Sequence, residues 1–234
     1  MHSPHEPVKA MYRYVLSLAL LLTLVTSAAA QHFSVGADVV SRYIWRGTDY
    51  GESVSVQPTL AFATGGFKVG SWASYAVDPS SGAFNEHDLW MSFSVGNISL
   101  GVTDYYFPNA GAAFFNFDDG GGAHWIEPFV SFTGPEALPI SLFAGYFAYN
   151  DPDNSVYLSA SYPFAVDGVN LLFTTSASAG ESVLYGTDKF GIVELNLKAS
   201  KAISLTENFA LPLSVAYILN PYAEKSYLVF GLSF

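Results

Sequence analysis

Beyond residue 25 the chain is built on alternation. Val54-Ser55-Val56-Gln57-Pro58-Thr59-Leu60-Ala61-Phe62 sets Val, Val, Pro, Leu and Phe on one face and Ser, Gln, Thr and Ala on the other. His87 to Val95 repeats the pattern, with Leu89, Met91, Phe93 and Val95 opposite Asp88, Ser92 and Ser94, and so do Val156 to Tyr162 and Lys225 to Phe234. A period of two marks strands, and no segment holds the 3.6-residue period of a helix. Read between turn signals, such runs predict about twelve strands. They start near Phe33, Ser53, Phe67, Glu86, Ile98, Ala123, Pro139, Asn154, Val169, Lys189, Phe209 and Ala223, and strand counts of 10 or 14 also fit the pattern. Short links (Thr64-Gly65-Gly66, Gly96-Asn97, the segment near Glu136) alternate with longer acidic ones at Arg46–Glu52, Asp78–Asn85, Pro108–Gly122 and Gly180–Asp188. Ala199–Asn208 reads as a longish link at the short-turn end.

The content of the two faces separates a soluble sandwich from a membrane barrel. A sandwich turns Lys, Glu and Arg outward for solubility. Here the polar face is Ser, Thr, Gly, Asn and Ala, and only 12% of the residues are charged against 50% hydrophobic and 16% aromatic. Tyr43 and Trp45, Tyr75, Tyr105–Phe107, Tyr146–Tyr149, Tyr217 and Tyr222 gather at strand ends, as in the interfacial girdles of outer-membrane barrels. Closure satisfies every backbone group, as lipid requires. The expected fold is therefore all-β: a closed antiparallel transmembrane β-barrel over residues 31–234. A terminal aromatic, Phe234, fits the signal read by bacterial barrel-assembly machinery.

The first thirty residues read as a secretory leader. Lys9 and Arg13 precede an apolar run from Val15 to Val25, and Ala28-Ala29-Ala30 offers a peptidase site, so cleavage is expected at Ala30/Gln31. Translation from Met1 or from Met11 gives the same leader. The run is too short for a spanning helix, which needs about 20 apolar residues.

Charge sorting tests the barrel reading, because a charge at mid-bilayer on the lipid face costs up to ~2–4 kcal/mol. In the first strand Val35, Ala37, Val39, Tyr43 and Trp45 share the outward parity, while Asp38, Arg42 and Arg46 share the inward one. Lys68, Glu86, Asp88, Glu127, Glu194, Lys198 and Lys225 also fall inward, and all ten are candidate lumen-lining residues. Asp104 is the exception: it lies on the lipid parity near an outer strand end. Two readings of the inward charges stand side by side: pairs that fill the barrel, or a charged constriction that selects solutes.

The stretch Ser41-Arg42-Tyr43-Ile44-Trp45-Arg46-Gly47, followed by Val56-Gln57-Pro58 and Gly70-Ser71-Trp72-Ala73-Ser74, resembles the signature of the TorF-type porin family of bacterial outer-membrane proteins. The resemblance covers the first three or four strands. It implies a porin-like role without an assigned substrate or binding residues. Gly47 fits a tight turn leaving a strand.

Other chemistry is thin. With no cysteine there is no disulfide, thiol nucleophile or cysteine-held metal. A formal net charge of −11 excludes phosphate-neutralising nucleic-acid binding, and the aromatic content excludes disorder. His87 and His124 lie on the lipid parity near outer strand ends, where an outer-membrane lipid-modifying enzyme keeps its histidine, but no G-x-S-x-G elbow accompanies them. No enzyme, metal or cofactor is expected. Asp151-Pro152-Asp153-Asn154 and Asp118-Asp119-Gly120-Gly121-Gly122 read as solvated turns rather than calcium loops. The acidic loops are suited to divalent cations bridging lipopolysaccharide. The expected function is passive passage of small solutes across a bacterial outer membrane. The alternative is a closed structural or adhesive barrel acting through its loops.

Overall fold

The computed structural model describes residues 31–78, 80, 84–108 and 113–234; the leader read at 1–30 lies outside them. Among the described residues sixteen strands follow one another: β1 Gln31–Val40, β2 Ile44–Trp45, β3 Thr48–Asp49, β4 Ser55–Thr64, β5 Phe67–Ala76, β6 Glu86–Val95, β7 Ile98–Tyr106 and β8 His124–Thr133. Then come β9 Ser141–Tyr146, β10 Val156–Val166, β11 Val169–Ser178, β12 Glu181–Ser182, β13 Thr187–Asp188, β14 Gly191–Thr206, β15 Phe209–Asn220 and β16 Lys225–Ser233. Twelve of them form one closed barrel in the order β1-β16-β15-β14-β11-β10-β9-β8-β7-β6-β5-β4. The two remaining pairs, β2–β3 and β12–β13, are separate small hairpins. Each of the twelve expected starts falls within two residues of a barrel strand, because antiparallel neighbours joined by tight turns keep the period of two unbroken.

Register fixes which parity faces in. Ser55 and Ser74 bond across β4 and β5 at 2.6 Å and are both buried. Ser74 lies opposite Glu86, and Asp88 opposite Trp72 and Tyr105. The other parity is bare: Leu60 54%, Met91 50%, Phe93 56%, Leu100 63%, Leu228 56% and Phe230 56% exposed. Toward the short turns the interior is small and hydroxylic, with Ser94 against Ser99 and Ser161 against Thr174.

The link read at Ala199–Asn208 is a strand. β14 runs unbroken to Thr206, and its turn is Glu207-Asn208. Past Ser200 it has left β11 and pairs only with β15, so Lys201–Thr206 form a two-stranded ribbon exposed on both faces. That exposure removes the apolar alternation that marks a strand.

Candidate functional site

The barrel's interior is filled at its loop end by chain that leaves the wall. β1 ends at Val40. Ser41 pins the departure: its amide donates to Phe230 O at 2.8 Å, and its hydroxyl accepts from Phe230 N at 3.0 Å. The next residues turn inward as the β2–β3 hairpin, closed by Arg46 (φ 50°) and Gly47 (φ 78°). Two consecutive positive φ values make the tight turn that suits a two-residue hairpin. At Gly47 the glycine is required twice over, by this φ and by the Val193 carbonyl, which occupies the place a Cβ would take. Asn220 Nδ2 donates to Gly47 O at 3.1 Å and ties the tip to β15.

The tip delivers Arg46 to the opposite wall. Its Nη1 donates to Glu127 Oε1 at 2.6 Å and its Nη2 to Glu127 Oε2 at 2.7 Å, a two-pronged pair between side chains 10% and 0% exposed. Tyr105 OH donates to Glu127 Oε2 at 2.7 Å, and Tyr185 OH accepts from Arg46 Nη1 at 2.6 Å. Burial pushes the Tyr185 phenol upward, so it meets the guanidinium as a neutral hydroxyl. Aromatic faces enclose the cation: Arg46 Cζ is 4.4 Å from the Trp45 ring centre, 4.1 Å from Tyr157 and 5.3 Å from Phe143. Gly145 makes room, since a Cβ there would fall on the Glu127 carboxylate.

A second inturned hairpin, β12–β13, completes the filling. Ser155 and Ser182 hydroxyls bond at 2.6 Å, and the Tyr185 ring stacks on Trp45 and Tyr157 with centroids 5.8 and 5.6 Å apart. Tyr105, Phe147, Tyr157, Tyr185 and Val193 form one buried cluster. Between Trp45, Glu86, Tyr105, Trp125 and Phe147 there remains a cavity of about 10 Å³, room for a single water.

The ten charges named from the sequence divide into groups. Arg46 and Glu127 form the central pair. Glu86 is buried and accepts from Tyr43 OH at 3.0 Å, and Asp88 is buried beside it on the same face. Glu194 is buried and accepts from Ser176 Oγ at 3.1 Å and from Asn196 Nδ2 at 3.0 Å. Arg42 pairs with Asp49 at 3.5 Å and Glu52 at 3.3 Å. Lys68 sits opposite Ser92, Asp38 opposite Ser233, Lys198 opposite Leu172 and Ala216, and Lys225 opposite Asn220 at the loop end. Exposure remains at these last four.

The structure corrects two expectations and adds a partner to a third. Tyr43 and Trp45 do not share the outward face of β1, because parity carries only along a continuous strand and β1 ends before them. Tyr105, Tyr106 and Phe147 belong to the packed interior or lie under a loop rather than to an exposed girdle, whereas Tyr75, Tyr146 and Tyr217 are exposed. Asp104 does face outward, opposite Leu89, but His124 Nδ1 lies 2.8 Å from its Oδ1. The loop after β7 covers this outer pair: Phe117 stacks on the His124 ring at 3.9 Å, and Phe114 O lies 2.5 Å from Nε2. Both His124 nitrogens are thus engaged. The His87 ring packs between Tyr75 and Tyr106, and its Nε2 has no partner. Among the described residues no serine bonds to either histidine and no His, Cys, Asp and Glu cluster is placed to hold a metal. Asp151 spends its carboxylate on Ser155 N and Asp153 N, a turn and not a cation loop.

The one sequence cue to the inserted hairpin is the Trp-Arg-Gly tip itself. Its partner Glu127, 81 residues away, carries no local mark. No curated protein matches the chain. Residues 25–180, from before β1 to the end of β11 and including the hairpin, Arg46, Glu127 and Tyr157, match a family described as a bacterial protein of unknown function. Since that match spans more than half of the sequence, the chain belongs to this family, designated Gcw_chp.

Proposed function

We propose that this protein is a narrow porin of a bacterial outer membrane, exported by a cleaved leader and held shut at its outer end by the β2–β3 hairpin. The bare apolar wall supports the membrane setting: large apolar side chains are exposed on strands all round the barrel, Leu100 and Phe93 by more than half, far beyond the patch a water-soluble monomer tolerates. The resemblance of Ser41–Gly47 to TorF-type porins supports the transport class. The observation that carries the closed state is the Arg46–Glu127 pair, which joins a loop-borne hairpin to the far wall through two short bonds. Passage of small solutes then requires the hairpin to leave. Lipopolysaccharide and outer-membrane lipid are the expected surroundings, with the acidic loops facing outward.

Planar-bilayer recording tests this. The native chain is expected to give rare, brief steps, and a variant with residues 44–49 replaced by two glycines is expected to give steady ones. Wide, steady steps from the native chain overturn the closed state. Silence from both overturns passage and selects the alternative that the packed interior also favours, a structural barrel acting through its loops.

A further inference from the structure

We propose that the loop between β7 and β8 is latched to the outer wall of the barrel by a proton on His124, and that removing this proton lifts Phe114 off the wall. The His124 side chain has no exposed surface. Its Nδ1 lies 2.8 and 3.0 Å from the two Asp104 oxygens, and its Nε2 lies 2.5 Å from the Phe114 carbonyl oxygen. A carboxylate and a backbone carbonyl can only accept, and a neutral imidazole has a single N–H to give. Both contacts are hydrogen bonds only when the ring carries both protons. Its surroundings suit such a cation: the Tyr106 and Phe117 rings stack on it with centroids 4.8 and 3.9 Å away, and Phe114 meets it edge-on at 5.2 Å.

The titratable groups around the ring have distinct roles. Asp104 from β7 carries the counter-charge, and Tyr106 from the same strand offers a ring face. His87 from β6 stands one ring further off, against Tyr106 at 5.9 Å. From the link after β9, Tyr149 OH donates to Phe117 O, and Asn150 Nδ2 donates to His124 O at 3.0 Å. Asp118 and Asp119, later in the loop, are exposed. When the proton leaves for solvent, the remaining N–H stays on Nδ1, because a carboxylate holds it more strongly than a neutral carbonyl does. The Nε2 lone pair then faces the Phe114 oxygen with no hydrogen between them, and Phe114 must retreat. The latch is complete at low pH and is lost as pH rises through the titration of the ring. Gly120 and Gly122 hold their places, since Asn150 Oδ1 accepts from Gly120 N at 2.7 Å and Asn150 Nδ2 donates to Gly122 O at 2.9 Å. The motion is confined to the turn at Ala113–Asn116, closed by Asn116 N donating to Ala113 O at 2.8 Å.

Two measurements on the full chain in detergent test the latch, and neither depends on solute passage. Imidazole nitrogen NMR at about pH 5.5 is expected to show His124 with both nitrogens protonated. Hydrogen exchange, corrected for the intrinsic effect of pH, is expected to be about tenfold faster at the Asn116 amide at about pH 8.5 than at about pH 5.5. The Gly122 amide, which donates to Asp118 O at 2.7 Å, is expected to stay unchanged. In His124→Gln the difference between the two conditions is expected to vanish, whereas His87→Gln keeps it. A neutral His124 ring in the acidic sample, equal Asn116 exchange in both samples of the native chain, or a pH effect that disappears with His87 and survives without His124 overturns the proposal. The first two outcomes are read on the native chain, so they decide the matter even where His124→Gln does not fold.

Discussion

Replacing Arg46 by Met removes the charge and keeps most of the stem's volume. Glu127, fully buried, would then retain only the Tyr105 hydroxyl at 2.7 Å. Stranding one member of a buried pair costs about 3–5 kcal/mol, and loss of the guanidinium's contacts with Trp45 and Tyr157 adds about 0.5–2 kcal/mol. The barrel wall does not bear that cost. Besides Arg46 the hairpin is held by Asn220 on the Gly47 carbonyl and by Trp45 packed against Tyr105 and Phe147, and undocking lets water reach Glu127 at less expense than unfolding twelve strands. The observable is therefore local. Amide exchange across Ile44–Asp49 is expected to accelerate by on the order of a hundredfold, the equivalent of about 2.7 kcal/mol, while β6 and β7 amides stay protected. Trp45 emission should shift to the red as its ring leaves the aromatic cluster. Arg46→Met with Glu127→Leu removes both charges together and is expected to regain most of the protection, since a buried pair and an apolar pair of similar volume differ little. Unchanged exchange in the single variant, or a double variant as labile as the single, refutes the reasoning.

Gly47→Ala forces a Cβ onto the Val193 carbonyl at a φ of 78°; the left-handed strain alone is about 1–2 kcal/mol, and the same red shift of Trp45 emission is the readout. Met91→Arg puts a cation on the bare wall and is expected to lower folding stability in lipid vesicles by about 2–4 kcal/mol, whereas Ser92→Arg, one residue on and facing inward, costs much less; equal losses would contradict the lipid-facing assignment. The Tyr222 hydroxyl, and secondarily Lys189, hold the Asp188 carboxyl below the usual aspartate range. This contribution is complete above the unfolded-chain value and fades as pH falls through the depressed one, so Tyr222→Phe should move the Asp188 titration upward in a carbon-detected NMR pH series.

How far the sequence carries can be judged residue by residue. Along β6 the alternation of Leu89, Met91 and Phe93 with Asp88 and Ser92 is continuous, so strand, face and neighbours follow from it, and the same holds for most of the wall. The inference fails where continuity fails. Ser41–Gly47 keeps a spacing of four between its arginines, which on a strand puts both on one face. In the structure Arg42 stays at the stem with Asp49 and Glu52, and Arg46 crosses the lumen. Nothing within seven residues encodes that crossing, because it depends on a left-handed φ at a non-glycine residue and on a glutamate 81 positions away. His124 and Asp104 are the converse case: their outward parity is legible, but the loop that buries them is not, since Phe114 and Phe117 carry no periodic signal.

The two halves of the interior differ for one reason. Twelve strands enclose more width than inward side chains can fill, so a barrel of this size either holds water or imports chain. Toward the turns it holds small hydroxyls that pair along the wall, Ser94 with Ser99 and Ser161 with Thr174, and leaves the space between walls open to solvent. Toward the loops it imports two hairpins, and imported chain needs an anchor that fixes its position and not merely its burial. An apolar tip would be held as strongly at several depths. A guanidinium clamped by both oxygens of one carboxylate is held at one depth, and because most of its cost is recovered when water returns to both charges, that anchor is also the one that releases.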